Sequence, residues 1–166
     1  MARDRIPGLG AFALSRAVVA AAGLAALAIW GANERNARSF DPQGLTDGAG
    51  PLARWDSVWF LEIARDGYDR AHDAAFFPLY PLLVRLGGGS VLAGAVLSLA
   101  CFAAALWLLH RLVALDFGER VARLCVLLVA VFPGAFFFSA VYSESLFLLL
   151  SVAAVYGART GRWELA

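Results

Sequence analysis

Four apolar runs leave this chain few folds to choose from. They cover residues 11–30, 88–109, 121–139 and 145–158. A helix needs about 20 apolar residues to cross a bilayer core. Hydrophobic residues make up 61% of the chain, against roughly 45–50% in soluble domains. The expected fold is all-α, a polytopic transmembrane helical protein with about four spans in one membrane domain over residues 1–166. The third run holds Pro133 and Gly134 in its later part. Proline removes a backbone donor and breaks a helix locally, which suits non-helical backbone beside a cavity. The fourth run is short, so a tilted or interrupted helix is expected there.

The first run admits two readings. Its middle, Ala17 to Ile29, has no charge, and Arg16 lies near its start, where a long side chain can snorkel to the headgroups. Arg3 and Arg5 could equally be the basic start of a cleaved signal peptide. The bulky Ile29-Trp30-Gly31 offers no small-x-small cleavage site, which favours a retained helix. Arginine placement then sets orientation. Arg3, Arg5 and Arg16, the connection with Arg111, Arg120 and Arg123, and the end with Arg159 and Arg162 fall on one side of a four-span chain. That side is assigned to the cytoplasm. The opposing loop, 31–87, carries six arginines against eight carboxylates. It is long, and long translocated segments follow the charge rule less strictly.

The net charge of +1 gives no basis for nucleic-acid binding. All the basic residues are arginine, which reads as the coding bias of a GC-rich bacterium. Cys101 and Cys125 each sit inside an apolar run and read as small buried hydrophobes. There is no P-loop, dinucleotide fingerprint, zinc spacing or GxSxG. Gly87-Gly88-Gly89 reads as a flexible joint.

Chemistry concentrates in the outer loop. Its first part, from Asn33 to Gly50, has the turn residues of irregular surface chain. Trp55, Val58, Trp59 and Ile63 then recur at helical spacing, so Leu52–Asp66 is expected to be a helix, ended by Gly67. At about 100° per residue Asp56 points into the apolar-aromatic side of that helix. There it would be partly desolvated, one route to a general base near neutral pH. An N-terminal carboxylate favouring the helix dipole explains it equally well. Glu62, Arg65 and Asp66 fall on the polar side, with Glu62 and Arg65 a simple surface pair. Arg54 could bind a phosphate bidentately or be an ordinary interfacial arginine. His72 is a lone loop histidine, more often structural than catalytic. Tyr142-Ser143-Glu144-Ser145 lies between two apolar runs on the same side as the loop. An ionisable residue at membrane depth is a functional candidate, and a short exposed turn is the simpler explanation. On the functional reading, Tyr142 and Glu144 face the same cavity as Asp56.

The strings LARWDSVWFLEIARDGY, AHDAAFFPLYPLL and FPGAFFFSAVYSESLFLLLS resemble the GPI mannosyltransferase II (PIG-V) family over Leu52 to Trp163. The resemblance implies a GT-C type membrane glycosyltransferase with a helical first extracytoplasmic loop. It implies a donor, polyprenyl (dolichyl)-phosphate-mannose, and an acceptor, a lipid-linked glycan or glycolipid, with transfer on the non-cytoplasmic face. Asp56 matches the position of the family's catalytic carboxylate. Arg54, Glu62, His72, Tyr142 and Glu144 fall in or beside shared motifs, as site-lining and substrate-binding candidates. No cofactor or metal is expected. The membrane would be the bacterial cytoplasmic one, or the endoplasmic reticulum for eukaryotic relatives. Members of the family are much longer, so the chain is expected to be the front of a longer enzyme or to need a second membrane polypeptide. A non-catalytic subunit or remnant is the alternative. A small transporter using Glu144 fits less well, because it has little use for a tryptophan-rich outer helix.

Overall fold

The computed structural model describes residues 8–30, 45 and 52–162. Arg3, Arg5 and nearly all of 31–51 lie outside the described residues. Those described are wholly helical, without strands. The helices are α1 (Leu9–Trp30), α2 (Ser57–Asp66), α3 (Leu79–Leu86), α4 (Val91–Val131) and α5 (Glu144–Arg159), with 3-10 segments at Ala71–Ala75 and Pro133–Ser139. By length and composition α1 and α4 can each cross a membrane. The Pro133–Ser139 segment and α5, bent by 98° at their break, can make one further span. The protein is a helical membrane protein.

The second and third apolar runs share α4, because a single glycine turns the chain. Gly118 has φ 76° and ψ 170°, a conformation open essentially to glycine alone. Phe102 and Leu106 before it share one core cluster with Val126 and Ala130 after it. In a straight helix Phe102 and Ala130 would stand about 42 Å apart, at 1.5 Å per residue. The helix therefore folds back on itself at Gly118. His110 Nε2 and Glu119 Oε2, 3.3 Å apart, bridge the turn. The longer connection expected between 109 and 121 is absent because this one residue does its work. α4 also stops at Val131, short of the expected 139. Phe132 turns extended (ψ 139°), and Pro133 opens a 3-10 segment instead.

Arg16 differs from expectation as well. Its side chain turns inward to the protein. It is half-buried, and its guanidinium donates to Ala135 O at 2.8 Å, to Ala130 O at 3.4 Å and to Ser139 Oγ. It also lies 4.7 Å from the centroid of Phe102. The broken segment offers carbonyls that headgroup water would otherwise have to satisfy, and the arginine turns inward to them.

A second cluster joins the outer loop to the membrane helices. Phe60 of α2 packs its ring against Phe76, Tyr80 and Tyr142 at 5.0, 5.0 and 6.4 Å. Val84, Cys101, Val141 and Leu146 complete the core around them. Cys101 is a buried free thiol, as its apolar setting implied, whereas Cys125, expected to be buried too, is only half-buried. Gly94 lets Val141 close on α4: a Cβ there would sit 2.8 Å from Val141 Cγ1. Gly94→Ala is expected to overpack this contact and lower stability by about 1–2 kcal/mol. Unfolding of the full-length protein in mixed micelles measures it. An unchanged midpoint would mean that Val141 rotates aside without cost.

Candidate active site

The outer loop reaches its site through a turn. Trp55 has φ 50°, the left-handed region that a bulky residue rarely enters. Arg54 N–H donates to Ser57 Oγ, and Ser57 N–H donates back to Arg54 O, both at 3.1 Å. This turn displaces the helix expected from Leu52, so α2 begins at Ser57. Gly67 ends it as expected, at φ 94° with its N–H on Ile63 O.

Asp56 consequently stands just ahead of α2, and it is exposed. Its desolvation among aromatics does not occur: at the N-cap of α2 its side chain stays open to solvent. Its side chain makes no cap bond to α2. What surrounds it comes from the far end of the sequence. Tyr142 lies within electrostatic reach of both Asp56 and Glu144, and the charges of Asp56 and Glu144 act on each other. Glu144 is exposed at the first turn of α5, where a helix favours negative charge. The structure thus brings Asp56, Tyr142 and Glu144 into one electrostatic site.

A buried hydrogen-bond chain holds this site together. Tyr142 OH donates to Arg54 O at 2.8 Å, and Val141 N–H to Leu52 O at 2.8 Å. Ser98 Oγ on α4 donates to Tyr142 O at 3.1 Å and lies 2.9 Å from Tyr80 OH on α3. Burial pushes the Tyr80 phenol far above its ordinary range, so it keeps its proton. The backbone just before Asp56 is therefore tied, through Val141 and Tyr142, to α3 and α4. Tyr80, Ser98 and Ser57 were not among the residues expected at the site. Only the buried serine inside an otherwise apolar run hinted at such a chain.

The remaining expected residues separate into two groups. Arg54 is half-buried beside the site. Glu62 is not a surface partner of Arg65. It is 5% exposed and pairs with Arg70 at 3.1 Å, while Arg65 pairs with Asp66 at 3.4 Å. α2 is enclosed nearly all round, with Phe60, Leu61, Ile63 and Ala64 also buried, so Glu62 has no open face, and an arginine from the following turn reaches it. His72 is not alone either. Its ring stands edge-on to Trp59 at 4.6 Å, and its Nε2 lies 3.3 Å from Asp73 Oδ1. Among the described residues no three His, Cys, Asp or Glu side chains gather as a metal cage.

An apolar cavity of about 590 Å³ lies between α1 and residues 130–139. Arg16, Val19, Leu52, Leu99, Phe132 and Phe136 help to line it. Leu52 brings one wall to within two residues of Arg54. An apolar cavity of this size with a few polar groups suits a hydrocarbon-bearing ligand.

Apolar helices long enough to span a membrane, a carboxylate pair and an apolar cavity define a polytopic membrane protein with a polar site beside its helices. Sequence comparison makes the assignment specific. Residues 44–165 match the mannosyltransferase (PIG-V) family, and the chain belongs to it. The GPI alpha-1,6-mannosyltransferase 2 of Mus musculus is 36% identical over 128 residues, covering 68% of this chain and 26% of the relative. The GPI mannosyltransferase 2 of Yarrowia lipolytica is 33% identical over 119 residues, 69% of this chain and 33% of the relative. That of Drosophila melanogaster is 32% identical over 118 residues, 62% of this chain and 26% of the relative. The chain therefore spans about a quarter to a third of the length of these relatives. No solved structure matches it.

Proposed function

We propose that the full-length protein is a mannosyltransferase of the bacterial cytoplasmic membrane. It takes mannose from polyprenyl-phosphate-mannose and passes it to a lipid-linked glycan on the outer face. The observation that carries this reading is the cluster of Asp56, Tyr142 and Glu144, two exposed carboxylates on a backbone fixed by buried hydrogen bonds. Family membership supplies the reaction, and the apolar cavity beside Leu52 supplies room for the hydrocarbon of a lipid substrate.

In this mechanism Asp56 accepts the proton of an acceptor hydroxyl. The hydroxyl oxygen bonds to the anomeric carbon while the carbon–oxygen bond to the donor phosphate breaks. The bonding pair leaves with polyprenyl phosphate, and the configuration inverts, as in the base half of an inverting glycosidase. Arg54 offsets phosphate charge, since a guanidinium matches two phosphate oxygens at once. Glu144 holds acceptor hydroxyls opposite Asp56. Glu62, paired with Arg70, keeps the loop that carries His72 against α2. The remaining helices of the full-length enzyme complete the substrate groove.

The test is sugar transfer in membranes holding the full-length protein, with labelled polyprenyl-phosphate-mannose as donor. Label should move into a lipid-linked product, and only with wild-type Asp56. Transfer that proceeds undiminished in the Asp56→Asn protein overturns the mechanism.

A further inference from the structure

Asp73 is a buried carboxylate with an unfinished hydrogen bond. Its side chain is 3% exposed. One oxygen, Oδ2, accepts the Arg70 N–H at 2.9 Å and closes the turn that begins the Ala71–Ala75 segment. The other, Oδ1, has no partner in hydrogen-bond geometry. A buried acceptor left unmade costs on the order of 1–3 kcal/mol, so an orphan of this kind calls for an explanation. The group facing it is His72 Nε2, at 3.3 Å, within reach but poorly aligned. Catalytic hydrogen bonds are often long or misaligned without substrate and tighten when it binds.

The imidazole is otherwise held on one side only. Trp59 packs edge-on against it, and the ring remains 47% exposed. Nδ1 has no hydrogen-bond partner among the described residues. Trp59 also fixes where the ring lies relative to the site. Asp56 has helical backbone angles, and Phe60 N–H donates to its carbonyl, so Asp56 and Trp59 are neighbours three residues apart on one face. His72 therefore packs on a tryptophan that lies three residues from Asp56 along α2.

We infer that His72 and Asp73 form an orienting pair beside Asp56, in which Asp73 fixes the Nε2–H tautomer of His72 and Nδ1 accepts a hydrogen bond from a hydroxyl of the saccharide acceptor. Asp73 is a positioning residue and acts only through the ring. The chemistry follows from the two nitrogens of a neutral imidazole. A carboxylate can only accept, so the nitrogen facing it must carry the hydrogen, and the other nitrogen is left as an acceptor. Sugar hydroxyls are the donors that such a nitrogen suits. This assignment rests on the transferase reading for its ligand, but not for its tautomer.

Asp73→Asn in the full-length protein tests it. Asn keeps a carbonyl for the Arg70 N–H, so the turn survives, and it can present an amide N–H to His72, which reverses the tautomer. The chain has two histidines, so ¹⁵N-histidine NMR in lipid nanodiscs is tractable, with His72→Gln assigning the resonance. The wild type should show His72 protonated at Nε2, and Asp73→Asn should move the proton to Nδ1. In the transfer assay, KM for the acceptor should rise about tenfold, the worth of one hydrogen bond, with kcat little changed. His72→Ala should show the same rise. A wild-type His72 protonated at Nδ1, or an acceptor KM unmoved in both variants while Asp56→Asn is inactive, overturns the inference. Undiminished transfer by Asp56→Asn sinks the catalytic reading instead, and the tautomer measurement still judges the pair.

Discussion

Asp56→Asn is expected to lower sugar transfer by 10²- to 10⁴-fold, the range over which a positioned general base acts. The acceptor oxygen is a poor nucleophile until its proton has somewhere to go, and an amide does not take it. The effect should fall on kcat and kcat/KM alike, because the proton moves only in the transition state. The fold should be indifferent. Asp56 is exposed, makes no cap bond, and offers α2 only a dipole contact worth about 0.3–1 kcal/mol. Glu144→Gln gives the comparison. Glu144 shares the electrostatic site but sits on α5, so as a substrate-holding group it should raise acceptor KM more than it lowers kcat. If Glu144→Gln proved inactive and Asp56→Asn retained transfer, the two roles would have to be exchanged. Unfolding curves in mixed micelles separate either result from simple loss of structure.

The sequence carried the regular parts of this fold and missed the turns that aim the site. Apolar runs announced α1, α4 and the shorter α5, and Pro133 announced the break after Val131. Gly67 announced the end of α2. These are properties of a residue and its near neighbours. The reversal between the second and third runs was expected, but its reduction to the single residue Gly118 was hidden, because helical propensity continues on both sides of it, through Phe117 and from Glu119. Its evidence is the meeting of Phe102 with Ala130, a long-range fact. The same holds at the site. The left-handed Trp55 could not be anticipated, since the residue type argues against it and only the surrounding bonds enforce it. Asp56 proved exposed and Glu62 buried because what encloses α2 is tertiary packing, which the angular count along one helix does not contain. The meeting of Asp56 with Tyr142 and Glu144, more than 85 positions away in the chain, had no local signal at all. It was reached through the order of the apolar runs, which put both segments on one side.

Arg16→Leu is expected to destabilise the protein by about 2–3 kcal/mol, through α1 and the broken segment together. Two terms oppose each other. Leucine removes the cost of keeping a guanidinium half-buried in an apolar setting, and exchanging a buried charge for a hydrocarbon can by itself be neutral or favourable. It also strips Ala135 O, Ala130 O and Ser139 Oγ of their shared donor. Ala130 lies in the last turn of α4, where carbonyls have lost their partners four residues on. Lipid offers no replacement, and each unmade bond costs about 1–3 kcal/mol. The contact with the Phe102 ring adds about 0.5–2 kcal/mol to the loss. With three acceptors exposed and one charge relieved, the loss wins. Arg16→Lys distinguishes charge from geometry. Its ammonium keeps the charge but has no planar fork to reach all three acceptors, so it should recover less than half of the loss. Denaturant titration of the full-length variants in mixed micelles reads both. A leucine variant as stable as the wild type would mean that the carbonyls find donors elsewhere, and that Arg16 stands in the cavity wall for its charge rather than for its hydrogen bonds.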